Sequence, residues 1–80
     1  MTKPYHVAIA PAARRQILAL SAKQQKHIVQ LAKALAINPR PPLAKRITGM
    51  TGLYSETINH DRVIYKIEEQ EILILVVKSV

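Results

Sequence analysis

Arg62 opens a strand-like run, Arg62 to Ile67, just after the polar turn Asn59-His60-Asp61. A guanidinium fixed there can grip a phosphate through two parallel N–H bonds, which an ammonium cannot do. Lys66 falls on the same strand face by parity. Ser55 and Thr57 share a face of the preceding run, Leu53 to Ile58, while Lys45 and Arg46 stand before it and Arg40 lies further upstream. These residues read as a shallow basic surface for an RNA backbone. Tyr5, Tyr54 and Tyr65 are the only aromatics, so a base-stacking platform would be thin. Tyr65 falls opposite Arg62 and reads as core; Tyr54 reads as core, with base stacking as the other use. For Arg62 the alternative is an ion pair with Glu56 across the hairpin, and spacing does not choose between the two. His60 is the one conventional acid–base group nearby, able in principle to take a proton from a ribose 2′-hydroxyl. A histidine at a hairpin tip is more often merely exposed.

Other chemistries find no support. His6, His27 and His60 are far apart, with no Asp, Glu or Cys at ligand spacing, so neither metal nor cofactor is expected. Gly49-x-x-Gly52 is too short for a phosphate-cradling loop and no helix follows it.

Charge agrees with the basic surface. The formal net charge is +7 over 80 residues. Residues 1–55 carry nine Lys/Arg and no acid, and all five acids lie between Glu56 and Glu71. Each phosphate neutralised releases counterions, so a polyanion is the natural partner. A basic face also suits an acidic protein. Cysteine is absent, which fits a reducing compartment. There is no signal-like apolar segment and no apolar run near the ~20 residues that span a bilayer. The expectation is a cytoplasmic single domain, residues 1–80, with no membrane partner.

The elements that must position these residues follow from pattern. Tyr5 to Ala10 reads as a first strand. Pro11 suits a helix start, and Ala12 to Leu20 places Ala13, Ile17 and Leu20 on one face. Ser21-Ala-Lys-Gln24 is a capping box, so a second helix begins at Ala22. Ile28, Leu31, Ala32 and Leu35 give it an apolar stripe, and Asn38-Pro39 ends it. Residues 38–43 form a stiff proline-rich connector. Ala44 to Thr48 is a short strand. Gly49 and Gly52, the only glycines, mark a loop needing positive φ. Glu68-Glu69-Gln70 turns the chain into a last strand, Glu71 to Val80. Its run Ile72 to Val77 is apolar throughout, so that strand is expected to be buried on both faces. The order β-α-α-β-β-β-β gives an α+β fold, a two-helix hairpin on one face of a mostly antiparallel sheet.

Together these residues carry a family likeness over nearly the whole chain. Ala10-Pro-Ala-Ala-Arg14, Leu35-Ala-Ile-Asn-Pro-Arg-Pro-Pro42, Ile47-Thr-Gly-Met-Thr-Gly-Leu-Tyr54 and His60-Asp-Arg-Val-Ile-Tyr65 resemble the RelE/ParE superfamily of bacterial type II toxins, nearest the RelE/YoeB-like side. The resemblance implies a RelE-like fold and a ribosome-dependent endoribonuclease that cleaves mRNA in the A site and inhibits translation. It implies a cognate antitoxin that wraps the toxin. It maps the strand-four arginine onto Arg62, which would stabilise phosphate charge in the transition state.

The chain departs from the pattern in three places. Ser55 and Thr57 stand where RelE-like members often carry lysines. Pro41 and Pro42 occupy the region where YoeB-like members use a glutamate. Both groups add an Arg, His or Tyr just after the last strand, and this sequence stops at Val80 before such a residue. The expectation is therefore a domain without the family's C-terminal catalytic tail, a weakened toxin, or one that works otherwise. Two alternatives to the nuclease follow: a ParE-like inhibitor of DNA gyrase without nuclease chemistry, and a degenerate toxin that only binds antitoxin.

Overall fold

The computed structural model describes residues 3–39, 44–47, 49 and 51–79. The elements are β1 (His6–Ile9), α1 (Pro11–Leu18), α2 (Ala22–Ile37), β2 (Lys45–Arg46), β3 (Leu53–Ile58), β4 (Asp61–Glu68) and β5 (Glu71–Ser79). The order is the one expected. One five-stranded sheet runs β1-β5-β4-β3-β2, with β1 parallel to β5 and every other pair antiparallel. Both helices cover the same face. Arg40, Pro41, Pro42, Leu43 and Thr48, which belong to the expected connector and short strand, lie outside the described residues.

Local sequence sets each boundary. Pro11 occupies the first turn of α1. That helix stops two residues short of Leu20, because the amide of Leu20 turns back to the carbonyl of Ile17 at 3.0 Å, a tighter 3₁₀ bond. The capping box at α2 is complete: Ser21 N–H donates to Gln24 Oε1 at 3.1 Å and Gln24 N–H to Ser21 Oγ at 3.2 Å. Such a cap stabilises a helix by about 1 kcal/mol. At Gly52, with φ +77°, a Cβ would lie 3.0 Å from the carbonyl of Ile67, while the Gly52 carbonyl accepts from Ile67 N–H at 2.8 Å. Only glycine fits that approach.

The core lies between the helices and one sheet face. Ala13, Ile28, Leu31 and Leu35 meet Val63, Tyr65, Ile72, Ile74 and Val77 there. Tyr65 is fully buried, donates its hydroxyl to the Pro39 carbonyl at 3.1 Å and stacks on Tyr54 with ring centroids 6.0 Å apart. Tyr54 is thus a core residue, on the face opposite Arg62.

Two expectations need correction. Both hairpin turns are tighter than the sequence indicates: Ile58 pairs with Asp61 and Glu68 with Glu71, leaving two-residue turns in which Asn59 (φ 55°) and Glu69 (φ 53°) take left-handed backbone. The last strand is also not buried on both faces. Ile72, Ile74 and Val77 are buried, whereas Leu73 is 37% exposed and Leu75 and Val76 are half-buried. The physical reason is a β-bulge. Tyr65 pairs with Ile74 but Ile64 pairs with Val76, so Leu75 is an extra residue and inside–outside parity switches there. A strand that changes parity midway needs apolar residues at both even and odd positions.

Candidate functional site

The face of the sheet away from the helices carries the chemistry. On β4, Arg62, Ile64, Lys66 and Glu68 point to this face, and Asp61, Val63, Tyr65 and Ile67 are buried on the other. Thr57 pairs with Arg62 and Ser55 with Ile64, so both side chains join Arg62. Lys45 pairs with Ser55 and reaches the same place from β2. Lys45, Ser55, Thr57 and Arg62 line one cleft of about 240 Å³. None of the four is acidic, so the cleft is cationic and offers two hydroxyls as hydrogen-bond partners. Lys66 shares the face further along β4 but is tied to Glu68 at 3.3 Å, the one ion pair among the described residues. Arg46 pairs with Tyr54 and falls on the opposite side of β2. Arg40 lies outside the described residues.

Lys78 is the residue that sequence reasoning missed. It pairs directly with Arg62 across β4 and β5. Counted back from the Glu68–Glu71 pair without a bulge, Arg62 would face Val77 and Lys78 would point the other way. The extra residue at Leu75 brings Lys78 beside Arg62 and sends Val77 into the core against Val63. The unbroken apolar run ending at a lysine was the available signal. The bulged segment is also pinned: β1 ends at Ile9, and past that point Val77 N–H donates to Gln16 Oε1 of α1 at 2.7 Å.

The Glu56 alternative for Arg62 does not hold. Glu56 pairs with Val63, lies on the helix-covered face and is 8% exposed. Its Oε2 finds no hydrogen-bond partner among the described residues. Burial raises its carboxyl pKa above the ordinary 4.5. Arg62 is thereby left without a carboxylate partner and open to solvent on the free face.

His60 is exposed in the β3–β4 turn and lines a different cleft, with Lys23, Gln24, His27, Asn59 and Asp61. It does not line the Arg62 cleft. Asp61 is structural: 1% exposed, it accepts from Gln24 Nε2 at 3.2 Å and Ser79 Oγ at 3.3 Å, tying the hairpin to the first turn of α2 and to β5. Asn59 Nδ2 lies 2.8 Å from His27 Nδ1, a second tie to α2. Among the described residues no group of three His, Cys, Asp or Glu is placed to hold a metal, and no helix is long and apolar enough to cross a membrane.

No protein-family model and no curated protein matches the chain. Solved structures do. The toxin–antitoxin complex RelBE2 from Mycobacterium tuberculosis contains a chain 25% identical, superposing with a TM-score of 0.84 over 96% of this chain and 99% of that one. The chain has the RelE-like fold. A RelE–RelB complex from Pyrococcus horikoshii matches at 23% identity, TM-score 0.81, over 95% of this chain and 94% of the other. A chain of the chromosomal ParDE system from Pseudomonas aeruginosa matches at 17% identity, TM-score 0.78, over 99% of both. The RelE/ParE fold is therefore present from β1 to β5, and likeness at these identities does not choose between the RelE and ParE branches.

Proposed function

We propose that the chain is the toxin of a type II toxin–antitoxin pair, a cytoplasmic endoribonuclease that cuts mRNA on the ribosome and is neutralised by a cognate antitoxin. The RelBE2 and archaeal RelE–RelB chains it resembles are held in complexes with antitoxins, which supports the partner. The observation that carries the nuclease reading is the unneutralised cation cluster: Arg62 flanked by Thr57 and Lys78, with Lys45 and Ser55 across the cleft.

The chemistry suits such a cleft. The ribose 2′-oxygen attacks the adjacent phosphorus and the bond from phosphorus to the 5′-oxygen breaks, leaving a 2′,3′-cyclic phosphate and a 5′-hydroxyl. Negative charge builds on the phosphate oxygens during the step. Arg62 meets it bidentately and Lys78, its neighbour across the strands, adds a second cation. The 2′-hydroxyl loses its proton to water, and the ammonium groups of Lys45 and Lys78 are available to protonate the leaving oxygen. Thr57 and Ser55 can hold non-bridging oxygens as hydrogen-bond donors.

A second reading, gyrase inhibition without nuclease chemistry, is kept in view by the ParDE likeness and by Ser55 and Thr57 standing in place of lysines. Primer extension on mRNA from induced cells separates the two. Discrete, codon-spaced cuts support the nuclease; intact mRNA with a DNA-damage response supports gyrase. Normal growth with tight antitoxin binding would mark a degenerate toxin.

A further inference from the structure

Strand register sorts the open sheet face into rows. The first row is Thr57, Arg62 and Lys78; the second is Lys45, Ser55, Ile64 and Val76; the third contains Leu53, Lys66 and Leu73; the fourth contains Glu68 and Glu71. Successive rows are about 7 Å apart, two residues of strand rise. The face thus runs from cationic to aliphatic to acidic along β4. Ile64 and Val76 are half-buried side by side next to the Arg62 row, and they owe their adjacency to the bulge at Leu75.

We propose that Ile64 and Val76 form an aliphatic platform for the face of one nucleobase flanking the phosphate held by Arg62, with Ser55 the hydroxyl beside it, and that Glu68 and Glu71 keep the RNA backbone from the far end of the sheet. The inference rests on the nuclease reading and deepens it. Charge selects the occupant. A polyanion that docks on Arg62, Lys78 and Lys45 must place its next group within one row, and a base has an apolar face suited to Ile64 and Val76. Lys66 cannot extend the phosphate track, because Glu68 already neutralises it at 3.3 Å. Continued along β4, the backbone would meet the Lys66–Glu68 pair and then Glu71, which no cation among the described residues neutralises, a net negative patch with Glu68 and Glu71 both exposed. The RNA therefore crosses the strands, from Lys45 on β2 toward Lys78 on β5. An aliphatic platform with one hydroxyl discriminates weakly between bases, so cleavage should depend on a base being present more than on which base it is.

The test uses ribosomes programmed with mRNA carrying one abasic nucleotide, on either side of the cut in turn, in single-turnover cleavage. The wild type should slow about tenfold at one of the two positions. Ile64→Ala should slow about as much on intact mRNA and lose most of the abasic penalty, whereas Ile64→Leu should keep both. Val76→Ala gives a second, independent reading, with circular dichroism confirming the fold of each variant. If the full abasic penalty persists in both alanine variants, the platform is ruled out. If both cleave like the wild type but bind antitoxin less tightly, the strip faces protein and the proposal fails. No cleavage by the wild type removes the nuclease reading and the platform with it; cleavage unaffected by Arg62→Ala leaves the nuclease reading standing and removes the Arg62 site together with the platform beside it.

Discussion

Arg62 and Lys78 stand directly opposite each other on β4 and β5, and one extra residue, Leu75, puts them there. Two like charges side by side on a sheet repel and cost stability unless something is gained. No carboxylate pairs with either among the described residues. That arrangement suits a phosphate bound between them. Lys78→Ala should lower single-turnover cleavage by about tenfold or more, roughly 1.4 kcal/mol of transition-state stabilisation. Lys78→Arg should retain most of the rate. The same alanine variant should be no less stable to urea than the wild type, since a repulsion has been removed. A rate unchanged by Lys78→Ala would take Lys78 out of the chemistry.

The bulge depends on Gln16. Its Oε1 accepts the Val77 N–H at 2.7 Å, where β1 no longer provides a neighbour. Gln16→Ala leaves that amide without its partner and should cost about 1–2 kcal/mol. Urea denaturation reads the loss. Hydrogen exchange at the Val77 amide should accelerate more than exchange at the Ala10 amide, which still donates to the Ile74 carbonyl at 2.8 Å.

Glu56 should make stability fall with rising pH. Its folded-state pKa is raised by burial, so the folded chain holds the proton better than the unfolded one. Stability is therefore greatest below the unfolded value, 4.5, and falls as pH rises through the interval up to the raised folded value. Above that interval the ionised, buried carboxylate remains a steady cost. Glu56→Gln should stabilise the protein at pH 7, and the advantage should shrink below pH 4.5. Denaturant midpoints at pH 7 and pH 4 check both parts; an equal effect at the two would contradict it.

Glu69 holds a left-handed backbone, φ 53°, in an exposed two-residue turn. A side chain there costs what glycine avoids. Glu69→Gly should stabilise the fold by about 0.5–1 kcal/mol, read as a rise in the thermal midpoint. Asn59, at the matching position of the other hairpin, already has a side chain that tolerates this conformation.

Most of the architecture was legible because local signals agree. Pro11, the Ser21–Gln24 capping box and Asn38-Pro39 bound the helices, and the stripe from Ile28 to Leu35 names their buried side. Parity placed Arg62 with Lys66 and against Tyr65 correctly. Two features escaped. A bulge in a run where every residue is apolar interrupts no alternation, so Lys78 was not placed beside Arg62 and the run read as doubly buried. Pairing across the β3–β4 hairpin also depended on the turn length. Counting Asp61 as turn rather than strand obscured that Thr57 faces Arg62 and Glu56 faces Val63, and so left the Glu56 ion pair open. Asp61 itself became visible only once Gln24 and Ser79, remote in sequence, met it.

The central claim is that Arg62 carries the phosphate chemistry. It is tested most directly by single-turnover cleavage of ribosome-bound mRNA with the wild type, Arg62→Ala and Arg62→Lys. A fixed donor to developing charge is worth about 10²–10³ in rate. Arg62→Ala should fall by that factor while antitoxin affinity is kept, and Arg62→Lys should recover only part, because one ammonium cannot replace a bidentate fork. Wild-type cleavage in Arg62→Ala would contradict it.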